Sequence, residues 1–536
     1  MDLGSGGDPL SGGRRVSVTR ARVTILLWLI LGIVAVARAT PHVQHMVRAF
    51  TADGANTVGE AGKVYFAHRA QEGLPMFASG VEPPYYPSVH GALLHATVGW
   101  IGAALDSSVP SLYTIGRSLS VLMTALAWIF LGAVGVRLGL PVPMIAVGGL
   151  LWVGTYTLVE HTISFRPDHW VLAFSALLCW LTTLETDRAG LLERRAITAA
   201  ITVVPLLAFH IKATGLLLIG AVGLVHLVRR QWRRALIIGG AQAGLILASV
   251  SLMNVMSDGA YLAGLRGAVH VPWDTRLILL PYLARLGDPW IPLMLLGPMP
   301  LVIWLTLRPR DVSPSSAWAP VVSFWIVTLL GYGFATVRSG AAPYYFVEPA
   351  SYGLLLVLCS VRILSNARPL DPYPSTGPVV VLLLLTVTVG TAIDSIRQLH
   401  GVDIALVRTE VLGAERGLLA ERVNAQDGVC YSNDPSLNVL LDRPRVIYPL
   451  LQRQMIETGV LSSETLYGPL DRQELRCVIF SGIDWRYRGR PVVPEAFRAR
   501  VEEGFSWSEQ FGNYTIHYPD VVALPRVREP GAVESR

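Results

Sequence analysis

The sequence has little charge and few cysteines. Only 15% of its 536 residues are charged and 52% are hydrophobic, whereas ordinary soluble domains carry roughly 25% charged residues. The net charge of +6 comes from basic residues scattered at the ends of apolar runs. This pattern argues against a nucleic-acid partner and is typical of loops that orient a membrane protein. The composition therefore excludes an ordinary soluble domain and indicates a polytopic membrane protein.

The four cysteines show no metal-binding spacing such as CxxC. Cys179 and Cys359 lie inside apolar runs, and we interpret them as packing residues. Cys430 and Cys477 lie in the polar C-terminal region and can pair if that region faces an oxidising compartment. The sequence does not decide whether this disulfide forms, because it does not show whether the two cysteines are neighbours.

Lysine is almost absent from the chain. Of the 44 basic residues, only Lys63 and Lys212 are lysines. Codon bias towards arginine explains most of this usage, but not why both exceptions lie beside other charged groups at the predicted outer face. Because lysine is a compact cation and arginine a planar fork, the two are not interchangeable in a site. We therefore treat both lysines as candidate site residues.

Eleven apolar runs approach the ~20 residues needed to cross a bilayer. A further run, 90–105, decides the topology, because counting it as a span would turn most later arginine-rich loops outward, against the positive-inside rule. We therefore place it along the outer surface as an interfacial helix. The N-terminus then lies on the cytoplasmic side of the plasma (inner) membrane, and the C-terminus lies on the outer side. The predicted spans are 23–39, 113–136, 141–158, 169–186, 196–209, 213–228, 235–254, 290–307, 318–336, 344–364 and 378–393.

The chain divides into three predicted parts. Residues 1–22 form a disordered cytoplasmic tail, and residues 23–395 form an all-α polytopic membrane domain with juxtamembrane helices in its first outer loop. No convincing cleavage site follows the first span, so we interpret it as a retained span and not as a signal peptide. Residues 396–536 alternate short apolar strands, turns and helical stretches, which predicts a small extracytoplasmic α/β domain.

Ionisable residues gather on the predicted outer face, and such residues at membrane depth usually mark a site. The stretch "VGEAGKVYFAHRAQEG" contributes Glu60 and Lys63, which also fit an ordinary exposed i,i+3 pair. Lys212 also fits a snorkelling cation, and Asp168 a helix cap. The other outer segments contribute Glu82, Arg166, Asp168, His210, Lys212, Arg338 and Tyr345.

Several motifs follow one another in a recognisable order. After the first span, a long outer loop contains "RAQEGLPMFASGVEPPYYPSVHGALLHATVGWIG"; then come "TIGRSLSVLMTALAW" with Arg117, "RPD" at 166–168, and "HIKAT" between two short spans. Over about residues 20–360, the chain resembles the GT-C class of membrane glycosyltransferases, in particular bacterial relatives of protein mannosyltransferases and lipid A aminoarabinose transferases. It departs from their pattern at Gly59, where an acidic residue is usual, and at Ile211, where threonine is usual.

The resemblance implies inverting transfer of a sugar from a polyprenyl-phosphate carrier to an acceptor hydroxyl on the outer face. Such a reaction needs a general base and cations that stabilise the departing phosphate. By position we assign Glu60 as the base, and Lys63 as a group that orients it or contacts the phosphate. Lys212, with Arg338, is the candidate phosphate ligand.

The remaining candidates are assigned to substrate binding: Glu82, Arg117, Arg166, Asp168, His210 and Tyr345. Glu82 is a candidate for binding the acceptor or a metal, and His210 also fits an interfacial packing residue. No cofactor is required, and the sequence leaves the use of a divalent metal open. The expected partners are a polyprenyl-phosphate sugar, an envelope glycan, lipid or protein as acceptor, and membrane lipids.

Two other classes of protein also concentrate charge in this way. A transporter places polar groups near the bilayer midplane, often in repeated halves with broken helices, but most of these spans have apolar centres and we find no internal repeat. A non-catalytic scaffold for envelope assembly is the other alternative. It would be favoured if the C-terminal domain acted alone and Glu60 were dispensable.

Overall fold

The computed structural model describes most of the chain. The residues that it describes are mainly helical, with a small sheet near the C-terminus, as the sequence predicts. The described residues are 10–52, 59–77, 82–86, 90–155, 164–185, 191–269, 290–299, 318–335, 343–366, 381–382, 384–390, 412–482, 486–487 and 490–519.

The membrane domain consists of helices joined by short turns. Two 3₁₀ turns, Ala213–Leu216 and Pro343–Phe346, lead directly into α-helices. The α-helices are α1 (Leu10–Thr51), α2 (Glu60–Gln71), α3 (Ala92–Ala104), α4 (Val109–Arg137), α5 (Val142–Val153), α6 (Pro167–Leu184), α7 (Leu191–Ile211), α8 (Leu217–Val228), α9 (Trp232–Met256), α10 (Ala260–Val269), α11 (Trp290–Leu296), α12 (Trp318–Ala335) and α13 (Val347–Asn366).

Five stretches in the described residues are long and apolar enough to cross a membrane: Ile25–Phe50, Val109–Arg137, Leu192–Ile211, Trp232–Met256 and Trp318–Ala335. The chain is therefore an integral membrane protein, while the total of eleven spans stays a prediction. The described residues do not include parts of the predicted spans 290–307 and 378–393. They also do not include the predicted domain boundary at residue 395. The helix α1 begins at Leu10, within the predicted N-terminal tail.

Helix α3 occupies the run that decides the predicted topology. It has 13 residues, and at 1.5 Å per residue it is about 20 Å long, shorter than the ~30 Å hydrocarbon core of a bilayer. The 12-residue α5 is shorter still, so the interfacial placement of α3 stays a prediction that rests on the distribution of arginines.

The apolar residues of the membrane domain point both inward and outward. The core includes Trp152, Trp325 and Tyr352, all of them buried. On α9, by contrast, Leu236 and Ile237 are 68% and 72% exposed. An apolar surface of this kind is costly in water, and it fits contact with lipid chains.

The C-terminal residues form a small α/β domain. Strands β1 (Val429–Ser432) and β2 (Leu475–Ser481) are parallel, and the hairpin β5 (Trp507–Phe511) and β6 (Tyr514–Tyr518) extends the sheet in the order β1-β2-β6-β5. A disulfide joins Cys430 and Cys477 across β1 and β2. The other elements are α14 (Pro435–Leu440), α15 (Pro449–Glu457), α16 (Glu464–Asp471), β3 (Arg486–Tyr487), β4 (Arg490–Pro491) and α17 (Glu495–Gly504).

This domain packs on the loop between the first two predicted spans. The Ile447 amide donates a hydrogen bond to the Pro84 carbonyl over 3.2 Å. The buried Ile447 and Val439 join an apolar cluster with Phe66 of α2. The C-terminal domain therefore helps to hold α2 in place.

Two glycines allow the juxtamembrane helices to pack closely. A Cβ added at Gly99 of α3 would lie 2.4 Å from the Ala67 carbonyl oxygen of α2. A Cβ added at Gly91 would lie 2.0 Å from the His210 carbonyl oxygen. Because real Cβ atoms do not approach backbone so closely, only glycine permits these contacts. They bring α2, α3 and the end of α7 together.

Candidate functional site

Three carboxylates lie in the first turns of three helices: Glu60 in α2, Asp168 in α6 and Glu348 in α13. A negative charge is stabilised at a helix N-terminus by the aligned peptide dipoles. Lys212 lies at the break between α7 and the following 3₁₀ turn. We use the name polar cluster for Lys63, Arg166, Asp168, Lys212, Tyr345 and Glu348.

Glu60 is bound on both carboxylate oxygens. The Arg117 guanidinium donates to them in a bidentate pair, from Nε over 3.0 Å and from Nη2 over 3.1 Å, and the Phe165 amide donates to Oε1 over 2.7 Å. Both side chains of the pair are fully buried. Arg117 Nη1 also donates to the Ala52 carbonyl over 2.5 Å. The Glu60–Arg117 pair therefore ties α2 to α4, to the residue after α1 and to the segment before α6.

Lys63 is buried beside Gly59, the position at which the enzymes that this sequence resembles usually have an acidic residue. A Cβ added at Gly59 would lie 3.7 Å from Lys63 Nζ. The ammonium donates a hydrogen bond to the Gly59 carbonyl over 2.6 Å, and no carboxylate lies within ion-pair distance among the described residues. Burial lowers the pKa of Lys63 to about 7, and the positive charge of Arg166 adds to the shift.

Asp168 and Lys212 form a buried ion pair. Lys212 Nζ donates to Asp168 Oδ1 over 2.6 Å and also lies 4.2 Å from the centre of the Tyr345 ring, within the range of a cation–π contact. Asp168 Oδ2 is buried and has no hydrogen-bond partner among the described residues. The pair thus has one carboxylate oxygen that can accept a proton or a hydrogen bond.

Glu348 is the third carboxylate and is 3% exposed. Its Oε2 accepts a hydrogen bond from the Tyr332 hydroxyl over 2.9 Å, and the same hydroxyl lies 3.3 Å from Thr214 Oγ1. Its Oε1 is buried without a hydrogen-bond partner in the described part of the chain. Asp168 and Lys212 lie close enough to act electrostatically on this carboxylate.

Two histidines, one just before α3 and one within it, border the cluster. Burial lowers the pKa of His95 to about 3, and the charge of Lys63 adds to this shift. The pKa of His90 is also well below its usual value, because of burial and then of Lys63. Both imidazoles are therefore neutral near pH 7.

The structure brings some of the predicted site residues together and leaves others apart. Lys63, Arg166, Asp168, Lys212 and Tyr345 join the cluster, whereas Glu60 and Arg117 form the separate buried pair. His210 contacts Ser249 Oγ over 2.9 Å and lies 3.5 Å from the Tyr261 hydroxyl, on the side of α9 and α10. Glu82 is exposed, and Arg338 lies outside the described residues. Within the described ranges, no group of histidine, cysteine and acidic residues is arranged to hold a metal.

Two polar residues of this site were not predicted as site residues from the sequence. Tyr332 lies in an apolar span, where a tyrosine looks like a packing residue. Glu348 falls at the start of the predicted span 344–364, and an acidic residue there was the available signal.

The fold is similar to that of a solved membrane glycosyltransferase. ArnT from Cupriavidus metallidurans bound to undecaprenyl phosphate superposes with a TM-score of 0.53 over 94% of this chain and 97% of ArnT, at 13% identity. The apo form of ArnT gives a TM-score of 0.51 over 95% and 98% of the two chains, also at 13% identity. The oligosaccharyltransferase AglB from Archaeoglobus fulgidus gives 0.45 over 86% and 69%, at 10% identity.

No protein-family model matches the chain, and no curated protein matches it in sequence. At the level of the fold, the predicted resemblance to GT-C glycosyltransferases is confirmed. The likeness extends over nearly the whole chain, including the C-terminal region.

Proposed function

We propose that this protein transfers a sugar from a polyprenyl-phosphate carrier to an acceptor hydroxyl on the outer face of the membrane, with inversion. The observation that carries the proposal is the environment of Lys63. It is a buried cation whose described hydrogen-bond acceptor is a carbonyl and not a carboxylate. The carboxylates of Asp168 and Glu60 act on Lys63, but among the described residues neither forms an ion pair with it. Burying a charge without a directly bound counter-ion is costly, so an anionic ligand fits this position. Arg166 and Lys212 place two further cations near it.

The fold supports a lipid-linked phosphate as that anion. ArnT, the fold neighbour, was solved with undecaprenyl phosphate, and Lys212 of the cluster directly follows Leu192–Ile211, a helix apolar enough to cross a membrane. We propose that Lys63, Arg166 and Lys212 hold the carrier phosphate and stabilise the negative charge that develops as it departs. The acceptor is a glycan, lipid or protein hydroxyl.

We propose a different base from the one assigned by sequence position. Both oxygens of Glu60 are held by Arg117, so taking a proton would disrupt a buried bidentate pair. Asp168 Oδ2 has no such partner among the described residues. In this proposal Glu60 is a positioning residue, and Asp168 accepts the proton of the attacking hydroxyl. As the acceptor oxygen bonds to the anomeric carbon, the bond from that carbon to the phosphate oxygen breaks, and polyprenyl phosphate leaves as an anion.

The bridged cysteines support the proposed orientation. Disulfides form and persist in oxidising compartments, and Cys430 and Cys477 are joined. The C-terminal domain is therefore proposed to lie outside the plasma membrane, together with α2, on which it packs and which carries Lys63.

The test is release of undecaprenyl phosphate from a panel of undecaprenyl-phosphate sugars. The protein is reconstituted in lipid nanodiscs, and an envelope extract supplies the acceptor. We expect release by the wild type and by a Glu193→Gln control, which changes an exposed carboxylate at the start of α7. Asp168→Asn should lower the rate by about 10²-fold or more, the scale of general-base catalysis. No release with any donor would contradict the proposed function, and full activity of Asp168→Asn would contradict only the assignment of the base.

A further inference from the structure

Glu348 carries a buried carboxylate oxygen that the proposed reaction does not use. Its Oε2 is held by the Tyr332 hydroxyl, while its Oε1 is buried and has no hydrogen-bond partner among the described residues. The Ser175 hydroxyl also lies beside this carboxylate and interacts with it, and it contacts the Tyr352 hydroxyl over 2.7 Å, with either oxygen as the donor. Because an unsatisfied buried acceptor is costly, Oε1 is suited to a donor group on a ligand.

Aromatic rings connect this oxygen to the proposed phosphate site. The rings of Tyr332 and Tyr345 lie 5.9 Å apart, and the Tyr345 ring lies 4.2 Å from Lys212 Nζ. Lys212 also acts electrostatically on Glu348, so the ligand donor group lies near the cation that we assign to the phosphate. In a polyprenyl-phosphate sugar, the sugar is attached directly to that phosphate.

The chemistry of the residues around Glu348 Oε1 also matches a sugar. Hydroxyl groups donate hydrogen bonds to a carboxylate, and bonds to an ionised group are among the stronger ones. The apolar face of a sugar ring packs against aromatic rings, and the Tyr332 hydroxyl and Thr214 Oγ1 add further polar atoms 3.3 Å apart. A second phosphate is a poor fit, because the carboxylate would repel it.

We infer that Glu348, Tyr332 and Tyr345 form the subsite for the donor sugar, in which Glu348 Oε1 accepts a hydrogen bond from a sugar hydroxyl. This inference rests on the proposed function, since it takes the phosphate to lie at Lys63 and Lys212. In this arrangement Tyr332 is a positioning residue, because its hydroxyl orients the carboxylate. Glu348 then contributes to the choice of sugar and not to binding of the lipid carrier.

The test compares affinities for undecaprenyl phosphate with and without a sugar. Competition against a fluorescent polyprenyl phosphate in nanodiscs gives the affinity for bare undecaprenyl phosphate and for its mannose, galactose and arabinose derivatives. In Glu348→Gln we expect the affinity for the preferred glycosylated carrier to fall about tenfold, the scale of one hydrogen bond to a charged group. The affinity for bare carrier should not fall, because Glu348 makes no contact with the phosphate in this proposal and its charge opposes an anion, and retained binding also shows that the variant is folded. Tyr332→Phe should give a smaller loss in the same direction, and Glu193→Gln none.

The outcomes separate the subsite from the proposed function. If the wild type binds bare undecaprenyl phosphate, but Glu348→Gln leaves the ratio of glycosylated to bare affinity unchanged for every sugar, the subsite is wrong. A wild type without preference for any glycosylated carrier, or a variant in which only the KM for the acceptor changes, also contradicts it. Failure of the wild type to bind bare carrier contradicts the proposed phosphate site itself.

Discussion

Lys63 makes the proposed phosphate site sensitive to pH. Burial, followed by the charge of Arg166, lowers its pKa to about 7, against the opposing charges of Asp168 and Glu60. Below this pH the free protein already carries the ammonium that attracts a phosphate. Above it the amine is neutral and must take up a proton when the anion binds. The affinity for carrier phosphate should therefore be constant below the pKa and fall as the pH rises above it.

The size of the effect follows from the pKa. With a pKa of about 7, the protonated fraction falls about 20-fold between about pH 7.5 and about pH 9, because each unit above the pKa removes a factor of ten. The affinity of wild-type protein for undecaprenyl phosphate should fall by a similar factor. In Lys63→Arg the guanidinium remains charged throughout, so its affinity should stay nearly constant over this range.

Equilibrium competition in nanodiscs, at constant ionic strength, measures both proteins at each pH. The phosphate monoester ionises near pH 6 and does so equally in both experiments. His90 and His95 do not titrate in this range, because burial keeps their pKa values low. Parallel pH profiles for wild type and Lys63→Arg would refute the reasoning, because they would show that Lys63 does not bind the phosphate as an ammonium.

Three further changes test the architecture of the site by thermal unfolding in detergent. Arg117→Met leaves the buried Glu60 without its partner and should destabilise the protein by about 3–5 kcal/mol; recovery in the double variant with Glu60→Met is expected, and an unchanged melting temperature in the single variant would contradict the buried pair. Gly91→Ala places a Cβ against the His210 carbonyl, so it should lower both stability and carrier affinity, whereas Ala at the open Gly223 should change neither affinity nor packing. Cys430→Ser opens a disulfide that closes 47 residues and should cost about 4 kcal/mol; equal stability of the wild type with and without reductant would contradict it.

Much of the fold was predictable because it follows from local patterns. Apolar runs of span length identify helices such as α4 and α9, and the alternating stretch near residue 510 predicts the hairpin of the C-terminal domain. The number of spans was harder to derive, because several helices are short. Helix α5 has only 12 residues, and length alone does not separate such a helix from an interfacial one.

The candidate site was predictable only as a set of residue types on one side of the membrane. The scarcity of lysine and the position of charges at helix ends predicted Lys63, Asp168 and Lys212 as site residues. The pairing of Glu60 with Arg117, 57 positions away in sequence, depends on how α2 and α4 pack. Nothing in the local sequence distinguishes a carboxylate that is held on both oxygens from one that has an oxygen available for chemistry.

The most direct test of the account is to locate the carrier phosphate. An electron cryomicroscopy structure of the wild-type protein in nanodiscs with undecaprenyl phosphate would show its position. The account predicts phosphate oxygens about 3 Å from the ammonium groups of Lys63 and Lys212, the distance of a hydrogen bond. A phosphate bound instead beside Arg229 and Arg234, at the opposite ends of the helices, would contradict it.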